Sequence, residues 1–211
     1  MAGKTYEGEA IAVNFDMQRC IHSRNCYLKL SEVFDPGKRP WVQPDAGRAE
    51  EIAAVVRSCP SGALTYARRD GGPEEEAPGI NRLRILENGP VAVEGEISVE
   101  GAAPVTRATL CRCGASQNKP YCDFAHEKAG FRATGEPSPE FEGAAKETSG
   151  ALEARRIKDG PLMIAGNVEV ISGTGHKLAT AKKVFLCRCG ASKNKPFCDG
   201  SHKDAGFSDG A

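Results

Sequence analysis

The sequence predicts an α+β protein: a small N-terminal domain that mixes strands and helices, followed by two short β-rich modules. One observation is a repeat, because CRCGASQNKPYCDFAHEKAGF over 111–131 matches CRCGASKNKPFCDGSHKDAGF over 187–207 at a constant offset of 76. A second is the alternation of apolar and polar residues ahead of each copy, which is typical of strands. A third is that the N-terminal region has no copy and contains segments with helical spacing of its apolar residues.

The composition excludes several classes of protein. The 211 residues include 28 Lys+Arg and 28 Asp+Glu, so the formal net charge is zero. A nucleic-acid binder that depends on neutralising phosphates would need a basic excess. No apolar run approaches the ~20 residues of a membrane span, and no apolar signal core follows the first Met. We therefore expect a soluble, cytoplasmic protein with neither a nucleic-acid nor a membrane partner.

The N-terminal domain is predicted to have the element order β-α-β-α-β. A strand lies within 4–16, and a cysteine loop leads into a helix over 19–34. Trp41 and Val42 form a short strand, a second helix covers 48–59, and a last strand covers 63–67. This order describes a small, compact domain.

The two modules are predicted to be hairpins held together by a metal site. Their alternating residues turn at Gly95 and Gly166, and a further strand enters each repeated motif at 108–110 and 184–186. Hydrophobic cores this small usually need additional stabilisation, such as a metal site. Acidic segments rich in Gly and Pro read as linkers. The predicted domains are 1–70, 81–134 and 154–211, separated by linkers over 71–80 and 135–153.

The nine cysteines indicate metal binding. An odd number cannot all pair as disulfides, which are also rare in a reducing compartment. They fall into three groups of three, and close pairs within the groups favour metal ligation over scattered buried thiols. The groups are Cys20, Cys26 and Cys59; Cys111, Cys113 and Cys122; and Cys187, Cys189 and Cys198.

Each repeated motif has the pattern C-x-C-x8-C-x3-H. Asp123 and Asp199 follow the third cysteine and are predicted helix N-caps, which places His126 and His202 in the first helical turn. Three cysteines and a histidine could hold tetrahedral zinc, but the paired C-x2-4-C knuckles of many zinc sites are missing. The cations that flank the motifs are either solvated charges or groups that offset cluster charge or dock an acidic partner: Arg112, Arg188, Lys119 and Lys195.

The stretch CRCGASKNKPFCDGSH resembles the CDGSH iron–sulfur domain, whose pattern is C-x-C-x2-S/T-x3-P-x-C-D-G-S/T/A-H. The resemblance implies two 2Fe–2S clusters, each on three cysteines and one histidine. It also implies an internal pseudo-dimer, because relatives with one motif form homodimers. The first copy departs at Phe124 and Ala125, which are not ligand positions. The implied ligands are Cys187 and Cys189 on one iron with Cys198 and His202 on the other, and likewise Cys111 and Cys113 with Cys122 and His126.

The N-terminal region resembles a divergent single-cluster ferredoxin over residues 1–67. Bacterial ferredoxins use C-x2-C-x2-C with a distant C-P, and here Ser23 stands where the second cysteine would be. Three thiolates from Cys20, Cys26 and Cys59 favour a 3Fe–4S cluster. A 4Fe–4S cluster with Ser23, His22 or water as its fourth ligand is the alternative, and a lapsed site of three buried thiols is the third interpretation.

The function expected from these motifs is single-electron transfer by a protein that is not an enzyme. Histidine in place of a fourth thiolate leaves the site less negative and raises its potential. The first alternative is a cluster donor or redox and pH sensor that uses a labile His ligand. The second is a zinc-stabilised interaction protein. We expect a redox partner protein with an acidic surface, and a monomer with an internal pseudo-two-fold axis.

Overall fold

A computed structural model describes residues 3–137, 145 and 147–208 of the chain. The chain divides into two compact units, Met1–Glu76 and Ala77–Ala211. Sheet dominates the described residues, and their helices are short. In the part of the chain that the structure describes, no helix is long and apolar enough to cross a membrane.

The first unit is a three-stranded antiparallel sheet with two helices. Strand β1 (Lys4–Tyr6) pairs with β2 (Ile11–Phe15), which pairs with β3 (Leu64–Arg68). Between β2 and β3 lie α1 (Asn25–Lys29) and α2 (Ala49–Arg57). The α2 helix buries residues spaced three and four apart, as an amphipathic helix does on a sheet. These residues are Ala49, Ile52, Ala53, Val55 and Val56.

The observed order β-β-α-α-β differs from the expected one at two places. The segment 4–16 forms two antiparallel strands joined at 7–10, where Gly8 approaches Pro44 and Asp45 too closely for a side chain. Val42 makes only an isolated bridge with Phe34 in place of the expected strand. Trp41 instead packs edge-on against Phe15, with ring centroids 4.8 Å apart, so its indole forms part of the hydrophobic core.

The second unit is a six-stranded sheet built from both modules. The first module supplies β4 (Arg82–Ile85), β5 (Val91–Val99) and β6 (Val105–Leu110), followed by the short helix α3 (Ala125–Lys128). The second supplies β7 (Leu152–Arg156), β8 (Leu162–Ile171) and β9 (Lys177–Leu186). One continuous core cluster joins apolar side chains from all six strands.

Strands β4 and β7 tie the two modules together. Strand β4 pairs antiparallel with β5 of its own module and parallel with β8 of the other module. Strand β7 pairs antiparallel with β8 of its own module and parallel with β5 of the other. The pairings correspond across the repeat: Leu83 of β4 faces Val170, and Ala154 of β7 faces Val99, at a common offset of 71. Strand β6 pairs with β5 on the side opposite β4, and β9 pairs with β8 on the side opposite β7.

The expected hairpin turns at Gly95 and Gly166 are wrong. Both glycines lie inside long strands, where the register shifts between Glu94 and Ile97 and between Ala165 and Val168. Their positive φ angles of 148° and 116° belong to β-bulges. A side chain at Gly95 would lie 2.3 Å from Asn81 Oδ1, so glycine is needed for close packing and not for a turn. The turn of the second module lies instead between β8 and β9, at 172–176.

The expected linker over 135–153 is partly structured. Residues 138–144 and 146 of this segment lie outside the described residues. Strand β7 begins at Leu152, so the end of the segment belongs to the sheet. At its start, Gly135 accepts a hydrogen bond from the Gly173 amide at 2.8 Å, and its own amide donates to Glu87.

Candidate metal centres

Each repeated motif begins where an edge strand of the sheet ends. Strand β6 runs directly into Cys111, and the chain returns antiparallel to the strand end after Pro120. The Cys111 amide donates to the Pro120 carbonyl at 2.8 Å, and the Cys122 amide donates to the Thr109 carbonyl at 2.9 Å. These two bonds hold the third cysteine beside the first pair.

The second motif repeats these bonds after β9. The Cys187 amide donates to Pro196 at 2.8 Å, and the Cys198 amide donates to Phe185 at 2.9 Å. A serine hydroxyl closes the intervening turn in both copies, from Ser192 to the Phe197 carbonyl and from Ser116 to the Tyr121 carbonyl, at 2.7 Å each. The identical spacing in sequence therefore gives the same pattern of hydrogen bonds around both sets of cysteines.

The structure brings the expected ligands together as close pairs. The Sγ atoms of Cys111 and Cys113 are 3.7 Å apart, and Cys122 Sγ lies 3.4 Å from His126 Nδ1. In the described parts of the chain, no three His, Cys, Asp or Glu side chains converge as a single metal ion would require. The second motif has the same pairs: Cys187 and Cys189 at 3.6 Å, and Cys198 and His202 Nδ1 at 3.3 Å.

The thiols of the first motif have strongly perturbed acidity. The hydrogen bond from the Cys111 thiol lowers the pKa of Cys113 to about 6 and raises the pKa of Cys111. Backbone amides also point at sulfur, since Ala115 N and Ala191 N lie 3.4 Å from Cys113 Sγ and Cys189 Sγ. Amides aimed at sulfur stabilise a thiolate, which is the form that binds metal.

Burial has the opposite effect on the other thiols. It raises the pKa of Cys122 to about 12, and it also raises the pKa of Cys187. It lowers the pKa of His126, which favours the neutral imidazole that a metal requires. A paired set of soft sulfur and imidazole donors, with amides supporting the outer thiolate, suits two irons that share bridging sulfides. These residues therefore fit a 2Fe–2S group of the kind that the motif implies.

The expectation that Asp123 and Asp199 are helix N-caps is wrong. Each carboxylate instead bridges the motif's own loop: Asp123 accepts hydrogen bonds from the amides of Gln117 at 2.8 Å and Ala125 at 3.0 Å. Asp199 accepts from Lys193 and Ser201 at 2.7 and 3.0 Å. Helix α3 begins only after Phe124, and 201–206 form turns. The aspartates therefore fix the distance between the loop and the histidine segment.

Phe124 and Gly200 occupy the same left-handed backbone position, with φ of 71° and 90°. A glycine adopts this conformation freely, whereas Phe124 bears a steric cost of roughly 1–2 kcal/mol. The Phe124 ring lies edge-on to His126 with centroids 5.1 Å apart. His126 is only 6% exposed, whereas His202 is half-buried. The two histidine sites thus share a left-handed backbone position but differ in the side chain that shields the imidazole from solvent.

Arg112 and Arg188 are not solvated surface charges. They are 1% and 3% exposed. The Arg112 guanidinium donates at 2.7–3.0 Å to four carbonyls, and burial lowers its pKa to about 10, so it stays charged at neutral pH. It also lies 5.2 Å from the Phe131 ring, as Arg188 does from Phe207. The four carbonyls belong to Leu86, Gly89, Ala133 and Thr134.

The same bonds assign a role to both arginines and to the lysines of the motifs. Arg188 donates to the carbonyls of Gly160 and Ile157 at 2.8 and 2.6 Å, so each arginine clamps the hairpin before its motif. Docking through these two side chains is excluded by their burial. Lys119 and Lys195 turn inward and donate to the carbonyls of Ser116 and Ser192. The repeat of Arg with a later Phe was a sequence signal for this clamp.

The two motifs meet through their CxCG loops, a contact that sequence reasoning missed. A side chain at Gly190 would lie 2.7 Å from the Cys113 carbonyl oxygen. One at Gly114 would lie 3.0 Å from the Arg188 carbonyl oxygen. Both glycines have left-handed φ angles, of 76° and 79°. The backbone of each C-x-C pair is therefore in direct contact with the backbone of the other.

The three N-terminal cysteines lie close enough to repel one another electrostatically. Burial is the main cause that raises the pKa of Cys20 and Cys26, and the Cys59 thiol raises both further. Cys26 lies in α1 and Cys59 follows α2. The alternative fourth ligands, His22 and Ser23, are exposed in the loop. A residue not anticipated from sequence, Ser61, is buried with its hydroxyl 3.5 Å from Cys59 Sγ.

Comparison with known families agrees with this geometry. The model described as "Iron-binding zinc finger CDGSH type" matches twice, at residues 88–127 and 159–203. The chain contains two CDGSH domains. The model described as "Divergent 4Fe-4S mono-cluster" matches residues 6–69, so this tandem CDGSH protein also carries an N-terminal domain of that type. The protein is an iron–sulfur protein. The two segments that match the CDGSH model contain the cysteine and histidine pairs described above.

Individual relatives cover one part of the chain. The "Uncharacterized protein YjdI" of Escherichia coli K12 is 36% identical over 66 residues, which is 31% of this chain and 87% of the relative. The protein of the same name from Escherichia coli O157:H7 matches equally. No solved structure matches significantly.

Proposed function

We propose that this tandem CDGSH protein is a non-catalytic carrier of single electrons. It holds two 2Fe–2S clusters, each on three cysteines and one histidine, and one ferredoxin-type cluster on Cys20, Cys26 and Cys59. The contact between the two CxCG loops is the observation that carries the proposal, because it sets Cys113 beside Cys189 across the module boundary. Two redox groups this near to each other form a short electron route.

An internal pseudo-dimer accounts for that contact. The residues that β4 and β8 pair are each 71 residues from their counterparts in the pairing of β7 with β5. Two copies of one module that exchange strands would pair in this way. The segment joining the modules then keeps in one chain what single-motif relatives assemble from two. The protein is accordingly a monomer with a pseudo-two-fold axis.

The protein groups around each site favour a cluster that accepts an electron readily. A 2Fe–2S cluster takes up and releases one electron at a time. Neutral imidazole in place of a thiolate leaves each site less negative, which raises the potential. The amides of Ala115 and Ala191 and the buried guanidinium groups of Arg112 and Arg188 add positive potential near the sulfurs.

The N-terminal site has two candidate forms. The set of three thiols favours 3Fe–4S, because the corner of the cluster at Ser23 needs no ligand. The family description favours 4Fe–4S, with Ser23, His22 or water completing the fourth iron. Both forms use the same three cysteines, so the carrier proposal stands with either.

A cluster-donor role is the second candidate, and one observation favours it. Cys198 and His202, which would hold one iron of the second motif, are both half-buried, whereas Cys122 and His126 are buried. A ligand pair that water reaches releases its iron more easily. Transfer of 2Fe–2S to an apo-ferredoxin, faster than electron exchange, would favour this role over the carrier.

EPR spectroscopy on the aerobically purified protein tests the proposal. Reduction should produce 2Fe–2S signals that disappear on reoxidation without loss of iron. A signal in the oxidised protein would assign the N-terminal site as 3Fe–4S, and its absence with a further reduced signal would assign 4Fe–4S. Colourless protein with stoichiometric zinc would overturn the proposal and support an interaction protein.

A further inference from the structure

The two CDGSH motifs share one backbone design but present different surfaces. Equivalent positions are 76 residues apart, so each residue of the second motif can be compared with its counterpart in the first. Three features in this comparison differ: the cover over the histidine, the residue that directly follows it and the exposed surface of the strand before the motif. They distinguish a closed first motif from an open second one.

The first comparison concerns the cover over the histidine. Phe124 lies against the His126 ring at 5.1 Å, and its counterpart Gly200 has no side chain and open space around it. His126 and Cys122 are buried, whereas His202 and Cys198 are half-buried. A partner can therefore approach the second histidine more closely than the first.

The second comparison concerns the charge beside the histidine. Glu127 follows His126, and its carboxylate lies 3.9 Å from His126 Nε2. The counterpart of Glu127 is Lys203, which is exposed. The residue directly after the histidine is thus an acid in the closed motif and a base in the open one, and the next position reverses this order, with Lys128 in the first motif and Asp204 in the second.

The third comparison concerns the strand that leads into each motif. On β9, Lys183 and Phe185 point to the same face, since strand side chains alternate with a period of two, and both are exposed. Phe185 is 43% exposed, and its carbonyl accepts the Cys198 amide at 2.9 Å. The counterparts on β6, Arg107 and Thr109, are buried. At these strand positions, an apolar ring and a cation are therefore exposed beside the second motif, whereas their counterparts beside the first are buried.

We propose that the second motif is the docking face for an acidic electron-transfer protein, and that the first motif exchanges electrons only through the second. This inference rests on the proposed function. Lys183 and Lys203 attract the partner's carboxylates, and Phe185 supplies an apolar contact on the strand that leads into the motif. The reduced partner loses one electron, the second motif's site gains it, and neither a proton nor a bond is transferred.

A pair of matched charge reversals tests the assignment. Lys203→Glu and Lys128→Glu change the net charge equally, and both lysines are exposed near a histidine, one in each motif. The probe is a reduced, acidic plant-type 2Fe–2S ferredoxin, mixed with the oxidised holo-protein in a stopped-flow instrument at low ionic strength. We expect Lys203→Glu to lower the second-order rate constant by roughly fivefold and Lys128→Glu to leave it nearly unchanged.

The controls separate the failure of this inference from that of the proposed function. Added salt should remove the difference between Lys203→Glu and wild type, because screening weakens steering. Equal slowing by both variants, or slowing by Lys128→Glu alone, would overturn the docking face while leaving the carrier intact. A wild-type protein that accepts no electrons from the reduced ferredoxin would overturn the carrier proposal and this inference with it.

Discussion

Replacing Gly190 with alanine tests the contact between the two CxCG loops. The new Cβ would lie 2.7 Å from the Cys113 carbonyl oxygen at a backbone φ of 76°. The left-handed conformation costs about 1 kcal/mol for alanine, and pushing the loops apart costs about 2 kcal/mol more. The sum of about 3 kcal/mol corresponds to a fall in melting temperature of roughly 6–12 °C for a chain of this size.

Two further alanine variants make the prediction quantitative. Gly130 has a φ of 58° and open space around it, so Gly130→Ala should show the backbone cost alone, about 2–4 °C. Gly114→Ala, with its nearest contact at 3.0 Å, should fall between the two. Thermal unfolding is followed by far-UV circular dichroism and cluster absorbance. A Gly190→Ala protein that melts no lower than Gly130→Ala would refute the loop contact.

Three other predictions concern the clamp, the first unit and the N-terminal site. Arg112→Lys should cost about 2–4 kcal/mol in urea unfolding, because lysine cannot reach four carbonyls, whereas exposed Arg132→Lys should cost nearly nothing. Arg68 lowers the pKa of Asp70 to about 2, so Asp70→Asn should destabilise the first unit above pH ~4 and match wild type as the pH falls towards 2; a constant difference would contradict this. Ser61→Ala should shift the N-terminal cluster to a more negative potential in voltammetry, whereas Ser58→Ala, whose hydroxyl bonds Val55, should not.

The repeated motif was the most predictable part of the molecule. Ligand spacing is local, so the pairs of Cys111 with Cys113 and of Cys122 with His126 follow from a short stretch of chain. The alternation in β5 and β8 likewise gave their buried faces correctly. Gly95 was misinterpreted because a glycine in an alternating segment is compatible with a turn and with a bulge, and only the packing of Asn81 distinguishes them.

Features that depend on contacts between distant segments could not be predicted. The pairing of β4 with β8 joins residues far apart in the chain, and no local pattern encodes it. Arg112 looks like a surface charge in sequence, because its burial depends on four carbonyls that converge only in the fold. The meeting of Gly114 with Cys189 has the same origin, although the identical CRCG in both copies was a signal that these glycines are special.

Pulsed EPR on the dithionite-reduced protein labelled with ¹⁵N-histidine is the most direct test of the central claim. The account predicts coupling to one imidazole nitrogen at each of two 2Fe–2S centres, from His126 and His202. His126→Cys should remove one coupling and His202→Cys the other, while both centres persist. Reduced 2Fe–2S signals with no histidine coupling, or no 2Fe–2S signal in protein that has retained its iron, would contradict it.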